Sequence, residues 1–254
     1  MEFAYKKSLG QNFIYDTDFL RAMVAGLNIT KDDIIVEVGA GAGTLTRVLA
    51  ETGCQVHSIE IDQRLQPILQ KNLSGLTNVD LVFGDAMQSD FSKFGKFRLV
   101  ANVPYYITTL LMMKFLRQPN CTDINILVAS EVANRIVAPV GKAEYGALSV
   151  TCQLMAQCEI TKFVPRTMFT PQPKVDSAFV RIQKSGQPFN ENLSRLLKGV
   201  FAARRKTMQN ALASAWHLDK ECTLQILAQA DIVPTLRPEQ ITPTQYAKIC
   251  ELLP

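Results

Sequence analysis

The sequence predicts an α/β protein in which a mostly parallel sheet carries helices on both faces and a small helical domain follows. Short β-branched or apolar runs alternate with helix-like segments through the first two-thirds of the chain, as in parallel sheets with helical crossovers. A break containing glycine, proline and polar residues follows at 184–188, and after it apolar residues recur at helix spacing. We therefore predict two domains, at residues 1–183 and 184–254.

The strands of the first domain are predicted from short runs of β-branched and apolar residues. These runs occupy 34–38, 56–61, 79–83, 97–101, 124–129 and 177–183. Helix-like spacing separates them, as in Leu45, Val48 and Leu49. Pro67 predicts that the helix after the second strand begins late, because proline is tolerated in the first turn of a helix but not in its interior.

In the second domain, one apolar stripe at helix spacing predicts a long helix. Its members are Leu193, Leu196, Leu197, Val200 and Phe201, with Met208, Leu212 and Trp216 as a continuation. We place Arg204, Arg205 and Lys206 on the same helix. Further along, the Thr-Pro-Thr-Gln sequence at 242–245 has the form of a capping box.

Charge is unevenly distributed along the chain. Residues 1–180 contain 17 basic and 17 acidic side chains, whereas 181–254 contain 10 basic and 6 acidic, which accounts for the net charge of +4. No acid occurs between 195 and 206. Such a basic surface indicates either a polyanionic partner or a solvated helix face.

Composition excludes several classes of protein. The chain has 254 residues, of which 47% are hydrophobic and 20% charged, an ordinary globular composition. The longest apolar run, 105–115, is too short to span a bilayer, and no secretory signal is visible, so we expect a cytoplasmic protein. Two histidines and six cysteines without Cys-x-x-Cys spacing argue against a zinc site or a serine hydrolase.

Three glycines follow the first strand, at the turn into the next helix. Residues 37–44 read Glu-Val-Gly-Ala-Gly-Ala-Gly-Thr. The missing Cβ at Gly39 and Gly41 lets backbone approach a ligand, and ligands bind at the carboxyl ends of parallel strands. The spacing is not the dinucleotide fingerprint Gly-x-Gly-x-x-Gly, and Glu37 would repel a pyrophosphate.

Acidic side chains stand at the ends of the next two strands. Glu60, 17 residues after Gly43, is placed to accept two hydrogen bonds from a ribose diol, and Asp85 to accept one from an adenine amino group. Taken singly, each acid is more often a cap or a turn residue. Together with the glycine turn, they predict a nucleoside site without phosphates, which matches the cationic methyl donor S-adenosylmethionine.

The fourth strand ends in Asn102-Val-Pro104-Tyr105-Tyr106. Proline stiffens the loop, so the Asn102 Oδ1 and the Pro104 carbonyl can accept from an exocyclic amine while Tyr105 stacks on its ring. This arrangement predicts methyl transfer to that amine, catalysed mainly by positioning. On its own, the segment is equally consistent with an Asx-turn followed by core tyrosines.

Five segments now form a joint pattern. They are 6–13 (Lys-Lys-Ser-Leu-Gly-Gln-Asn-Phe), 37–41, 102–105, 169–177 (Phe-Thr-Pro-Gln-Pro-Lys-Val-Asp-Ser) and 204–207 (Arg-Arg-Lys-Thr). The pattern resembles the rRNA adenine N6,N6-dimethyltransferase family, most closely its small-subunit (16S) branch, the KsgA type. It covers the chain from Lys6 to about residue 250.

The resemblance implies a seven-stranded class I S-adenosylmethionine-dependent methyltransferase sheet, Rossmann-like, with a helical C-terminal domain that binds rRNA. It implies two methyl transfers to each of two adjacent adenosines in a loop near the 3′ end of 16S rRNA, in a small-subunit precursor. The residues it assigns to S-adenosylmethionine are Asn12, Ile14, Gly39, Gly41, Glu60, Asp85 and Asn102. Tyr105 and Phe169 would sandwich the flipped adenine, beside Asn102 and Pro104. Arg204, Arg205 and Lys206 would contact RNA. We expect a monomer without a metal or a membrane partner.

The chain departs from the family pattern at Ala40, where proline is common, and at Tyr106, where asparagine is common. The nearest alternative is the 23S rRNA adenine methyltransferase of macrolide resistance, which shares the core motifs. A second is a non-catalytic ribosome-assembly or RNA-binding factor on the same fold, which the intact Asn-x-Pro-Tyr segment disfavours. A DNA adenine methyltransferase is a weaker third, since no base-reading module is visible.

Overall fold

The computed structural model describes residues 10–185 and 189–254. Residues 6–9 of the first motif and residues 186–188 of the predicted break therefore lie outside the described residues. The other segments discussed above lie within them.

The described residues form nine strands and ten α-helices. The strands are β1 (Phe13–Ile14), β2 (Ile34–Val38), β3 (Gln55–Glu60), β4 (Val79–Phe83), β5 (Phe97–Ala101), β6 (Cys121–Ala129), β7 (Ala156–Val164), β8 (Phe169–Thr170) and β9 (Ser177–Lys184). The helices are α1 (Thr17–Ala25), α2 (Thr44–Ala50), α3 (Gln66–Asn72), α4 (Tyr105–Arg117), α5 (Ser130–Val137), α6 (Ala147–Met155), α7 (Glu191–Ala202), α8 (Met208–Trp216), α9 (Lys220–Gln229) and α10 (Pro243–Leu252).

Seven of these strands form one sheet in the order β4-β3-β2-β5-β6-β9-β7, which confirms the predicted seven-stranded sheet. The pairs β3–β4, β2–β3, β2–β5 and β5–β6 are parallel, and β6–β9 is antiparallel. The parallel strands bring the ends of β2, β3, β4 and β5 to the same edge, where the predicted site residues lie. The two short strands β1 and β8 pair separately.

The central strands are buried because helices cover both faces of a parallel sheet. Ile35 and Val36 on β2 are fully buried. Ile35 packs in one cluster with Val48 and Leu49 of α2 and with Val100 of β5. The β-branched runs that predicted these strands are therefore core segments, and they hold the loops after them in place.

The predicted strand bounds agree closely with the structure. β2, β4 and β5 match residue for residue, whereas β3 lies one residue earlier than predicted and β6 begins three residues earlier. The sequence pattern did not predict β7, because its side chains alternate between exposed and partly buried and it lies at the edge of the sheet. Pro67 lies in the first turn of α3, as expected.

The chain divides into two compact units, and the division differs from the predicted boundary. One unit comprises the residues up to 133 together with 159–184, and the other comprises 134–158 with the residues from 185 onward. Residues 134–158 join the helical unit because Tyr145 and Val150 are buried in its apolar core. The Tyr145 hydroxyl also donates to the Ile241 carbonyl at 2.9 Å.

The predicted long helix of the second unit is two helices. α7 ends at Ala202 and α8 begins at Met208, so Arg204, Arg205 and Lys206 lie in the turn between them. Their predicted helical placement was wrong, because the Thr207 hydroxyl caps a new helix by accepting from the Asn210 N–H. The capping box of α10, between Thr242 and Gln245, is confirmed.

Within the described part of the chain, no helix combines the length and the apolar composition needed to cross a bilayer.

Candidate active site

A pocket opens where β2, β3, β4 and β5 end, and it brings most of the predicted site residues together. Its lining includes Asn12, Gly39, Gly41, Glu60, Asp85, Asn102, Pro104, Tyr105 and Phe169. Ile14 is the exception, because it is buried in the apolar core and lines a smaller neighbouring cavity beside the glycine turn.

The glycine turn requires glycine for contacts within the protein. Gly39 and Gly41 have φ values of +85° and +57°, in the left-handed region that glycine favours. A Cβ on Gly41 would lie 2.7 Å from the Phe13 ring, and one on Gly39 would lie 3.1 Å from the Asn102 carbonyl oxygen. The turn is therefore packed between the N-terminal segment and the loop after β5.

Glu60 is the carboxylate at the end of β3, and it is only 5% exposed. Its Oε2 accepts from the Gly41 N–H at 2.9 Å and its Oε1 accepts from the Asp62 N–H at 2.8 Å. Burial raises the pKa of Glu60, and the two backbone N–H groups counteract that shift. Each oxygen keeps a lone pair, so Glu60 can accept from two further donors.

Residues 10–14, here called the strap, run over the strand ends. The Gln11 side chain donates to the Asp62 Oδ2 at 2.8 Å, and Phe13 packs on Gly41. Phe13 and Ile14 pair with Thr170 and Phe169 in the two-stranded β1–β8 sheet. The strap thus joins the end of β3, the glycine turn and the segment that carries Phe169.

Asp62 anchors the strap. It accepts from the Arg64 side chain through both oxygens, at 2.9 and 2.6 Å. The Arg64 guanidinium holds the pKa of Asp62 at about 2, so the carboxylate is ionised at neutral pH. Asn12, next to Gln11, turns its amide toward the Gly10 carbonyl at 3.0 Å.

Glu37 lies beneath the site and is fully buried. Its Oε2 accepts from the hydroxyls of Thr46, at 2.6 Å, and Ser58, at 2.5 Å. Its Oε1 has no hydrogen-bond partner among the described residues. Burial raises the pKa of Glu37 to about 7, against the opposing effect of the two hydroxyls.

Two polar side chains at the strand ends retain unused hydrogen-bonding capacity toward the pocket. Asp85 accepts from the Met87 N–H through Oδ1 at 2.8 Å. The Oδ2 of Asp85 and the side-chain amide of Asn102 make no hydrogen bond to any residue that the structure describes. Pro104, two residues after Asn102, is the N-cap of α4, and its carbonyl accepts from the Ile107 N–H at 3.0 Å. That carbonyl keeps one lone pair.

Tyr105 and Phe169 face the same pocket from different elements. The Tyr105 hydroxyl is 2.6 Å from the hydroxyl of buried Ser177, which fixes the direction of the ring. Phe169 is 4% exposed and also belongs to the apolar core. Phe169 is therefore a core residue that also lines the pocket, and its binding role stays a prediction.

Sequence reasoning missed several lining residues. Gln11, Ile61, Val103, Tyr106 and Leu111 also line the pocket. Gln11, Ile61, Val103 and Tyr106 had a signal, because each adjoins a predicted site residue. The contact of Gln11 with Asp62 had none, because it spans 51 residues of sequence.

The three basic residues of the helical unit differ in their surroundings. Arg204 donates twice to the Ala143 carbonyl, at 3.2 Å, and its Nε is 4.0 Å from Glu239. That Glu239 oxygen has no hydrogen-bond partner among the described residues, so Arg204 supplies the opposite charge beside it. Arg205 and Lys206 are exposed.

A seven-stranded sheet in this strand order, with a pocket at the carboxyl ends of its parallel strands, is the architecture of a class I methyltransferase. Comparison with known proteins identifies the family. Residues 2–252 match the family model described as ribosomal RNA adenine dimethylase, and the chain therefore belongs to that family.

Individual relatives agree with the family match. The chain is 39% identical to the ribosomal RNA small subunit methyltransferase A of Lysinibacillus sphaericus, over 99% of this chain and 92% of that protein. It is also 39% identical to the protein of the same name in Clostridioides difficile, over 99% and 91%.

Two solved structures are similar over nearly the whole chain. A dimethyladenosine transferase from Plasmodium falciparum has a TM-score of 0.82 and 26% identity, over 93% of this chain and 95% of that one. The 23S rRNA methyltransferase ErmE has a TM-score of 0.76 and 26% identity, over 95% and 99%. The chain is thus an adenine methyltransferase of ribosomal RNA, a class that uses S-adenosylmethionine as methyl donor.

Proposed function

We propose that this protein transfers methyl groups from S-adenosylmethionine to the N6 amines of two adjacent adenosines near the 3′ end of 16S rRNA, in a precursor of the small ribosomal subunit. The observation that carries the proposal is the Asn102 side chain, which is unpaired among the described residues and lies in one pocket with Glu60, Asp85 and Tyr105. We also propose that it acts as a monomer in the cytoplasm.

The polar groups of the pocket fit the methyl donor. Glu60 can accept from the ribose diol, and the free Oδ2 of Asp85 can accept from the adenine amino group of the donor. Asn12, Gly39 and Gly41 provide the strap and turn around it. The carboxylates suit a cation and would repel a phosphate. Ile14 supports this wall from the core and is assigned no direct contact.

The chemistry needs little from the protein beyond positioning. S-adenosylmethionine, when bound, supplies an electrophilic methyl group on a sulfonium. The Asn102 Oδ1 and the Pro104 carbonyl hold the two N6 hydrogens of the target adenine, so that its lone pair faces that methyl. Bound in this pocket, the donor would supply the methyl group for the new C–N bond while its sulfur kept the electron pair of the broken S–C bond, and the N6 proton would pass to water. Tyr105 and Phe169 hold the ring in place.

The small-subunit substrate is favoured over its alternatives by the relatives. Those at 39% identity carry a small-subunit name, whereas the 23S enzyme is a structural neighbour at 26% identity. The helical unit, with exposed Arg205 and Lys206, suits a phosphate backbone.

The test is transfer of labelled methyl groups to small subunits that lack the modification, with 23S rRNA and large subunits as parallel substrates. Nucleoside analysis should find N6,N6-dimethyladenosine in 16S rRNA only. Label in 23S rRNA would support the macrolide-resistance reaction. Absence of label, with binding to small subunits retained, would support a non-catalytic assembly factor.

A further inference from the structure

Tyr106 differs sharply from its neighbour Tyr105. Its side chain is 67% exposed, although it lines the mouth of the pocket. Tyr105 is partly buried and bonded to Ser177. Successive residues on a helix point about 100° apart, so the start of α4 directs one ring inward and the other outward.

The outward ring lies beside the strap. A Cβ on Gly10 would lie 3.5 Å from Cε1 of Tyr106 and 3.1 Å from Cβ of Pro104. Gly10 itself has a φ of +59°, which favours glycine. The strap backbone therefore supports the Tyr106 ring on one side and leaves the rest of it open to solvent. One turn further along α4, Leu110 is 60% exposed.

An exposed, supported aromatic ring beside a base pocket has a specific use in RNA chemistry. A target adenine that enters the pocket loses its stacking on the neighbouring base. The neighbouring base then has one bare face. Aromatic side chains stack on bases of any sequence, and the interaction is large enough to affect binding.

We propose that Tyr106 is the stacking platform for the nucleobase next to the target adenosine, and so a positioning residue for the reaction. This inference rests on the proposed function. Tyr105 and Phe169 hold the reacting base, while Tyr106 holds its neighbour and keeps the RNA strand open at the pocket mouth.

The experiment compares Tyr106→Phe, Tyr106→Leu and Tyr106→Ala on small subunits that lack the modification. Leu110→Ala is the matched control, because it removes a similarly exposed apolar side chain from the same helix. Tyr106→Phe should retain the wild-type kcat/KM, because stacking needs the ring. Tyr106→Leu and Tyr106→Ala should lower kcat/KM about tenfold, mostly through a higher KM for the subunit, and affinity for S-adenosylmethionine should not change.

An RNA substitution gives the decisive readout. Subunits are assembled on 16S rRNA that has an abasic site immediately 5′ or 3′ of the first methylated adenosine. On one of these substrates, the kcat/KM of the wild-type enzyme should fall by the same factor as the kcat/KM of Tyr106→Ala falls on intact RNA. The kcat/KM of Tyr106→Ala should not fall further on that substrate.

Three results would overturn the proposal: full activity of Tyr106→Ala, full activity of Tyr106→Leu, or an equal loss in Leu110→Ala. The last two would indicate a generic apolar contact with a ribosomal protein. Failure of the wild-type enzyme to methylate intact subunits would instead contradict the proposed function, so the two failures are distinguishable.

Discussion

The Glu60 carboxylate accepts a hydrogen bond from the Gly41 backbone N–H at 2.9 Å, which joins the end of β3 to the glycine turn after β2. The residue expected to bind the ribose therefore also orders the turn beside it. A loss of cofactor affinity on mutation of Glu60 can arise from either role.

Glu60→Ala should weaken S-adenosylmethionine binding by more than tenfold, because hydrogen bonds to a charged acceptor contribute about 1.5–3 kcal/mol each. Calorimetry measures the loss. The ribose-binding and turn-ordering roles are separated by an analogue of S-adenosylhomocysteine that lacks the ribose 2′-hydroxyl. Wild-type enzyme should bind this analogue more weakly than S-adenosylhomocysteine itself, and Glu60→Ala should bind both equally. If the variant still discriminates, Glu60 acts on the turn alone.

Asn102→Ala should lower the single-turnover methylation rate by about two orders of magnitude, the size typical of losing one positioned polar group in a reaction site. Its side chain makes no hydrogen bond within the described residues, so thermal stability should hardly change. RNA affinity should also persist. A rate close to wild type would remove Asn102 from the reaction. The control is Gln172→Ala, which removes an exposed side-chain amide and should leave the methylation rate unchanged.

Tyr105→Phe should lower the methylation rate only slightly and Tyr105→Ala should lower it severely, because stacking uses the ring and not the hydroxyl. Tyr105→Phe should also lower stability, because it leaves the buried Ser177 hydroxyl without its partner. That cost is about 1–3 kcal/mol of unfolding free energy. Denaturant melts of Tyr105→Phe, Ser177→Ala and the double variant should be non-additive. Additive losses would mean that the 2.6 Å contact contributes little.

The buried Glu37 predicts a pH dependence of stability. Its pKa is about 7 in the fold against 4.5 as the reference, so the unfolded chain releases this proton first as the pH rises. Stability relative to Glu37→Gln should therefore fall between about pH 4.5 and 7, by about 3 kcal/mol in total, and level off above. Chemical denaturation across pH 5–8 measures it. A difference that stays flat across this pH range would contradict the raised pKa of Glu37.

The three adjacent basic residues in the turn between α7 and α8 are expected to have two different roles. Arg205 and Lys206 should contact RNA, whereas Arg204 should stabilise the helical unit. Replacing Arg205 and Lys206 by alanine should lower the slope of log affinity against log salt by about 1.5–2, if both neutralise phosphates. The melting temperature should not change. An unchanged slope would exclude them from the RNA interface.

Arg204→Ala should behave in the opposite way. It removes two hydrogen bonds to Ala143 and the charge beside Glu239. Because the side chain is partly exposed, we expect a loss of about 1 kcal/mol, or about 2–4 °C in melting temperature. The salt slope should change little. An unaltered melting temperature would show that these contacts do not stabilise the helical unit.

Six of the nine strands among the described residues, and all but one of the residues assigned to the site, were placed correctly from the sequence. β2 and β5 are mostly buried apolar runs, and β4 alternates partly buried with exposed residues; both patterns are typical of strands and can be recognised locally. Parallel strands then place Glu60, Asp85 and Asn102 at one edge, so their convergence follows from topology alone.

Contacts between distant segments decided the rest. The hydrogen bond between the Gln11 and Asp62 side chains joins residues 51 positions apart, and no local sequence pattern predicts it. Residues 134–158 join the helical unit through Tyr145, whose partner Ile241 is 96 residues away. The turn at Arg204 interrupts an apolar stripe that reads as one helix, because Thr207 caps a second. Periodicity reports which face of a segment is buried, whereas only the folded chain determines what that face is buried against.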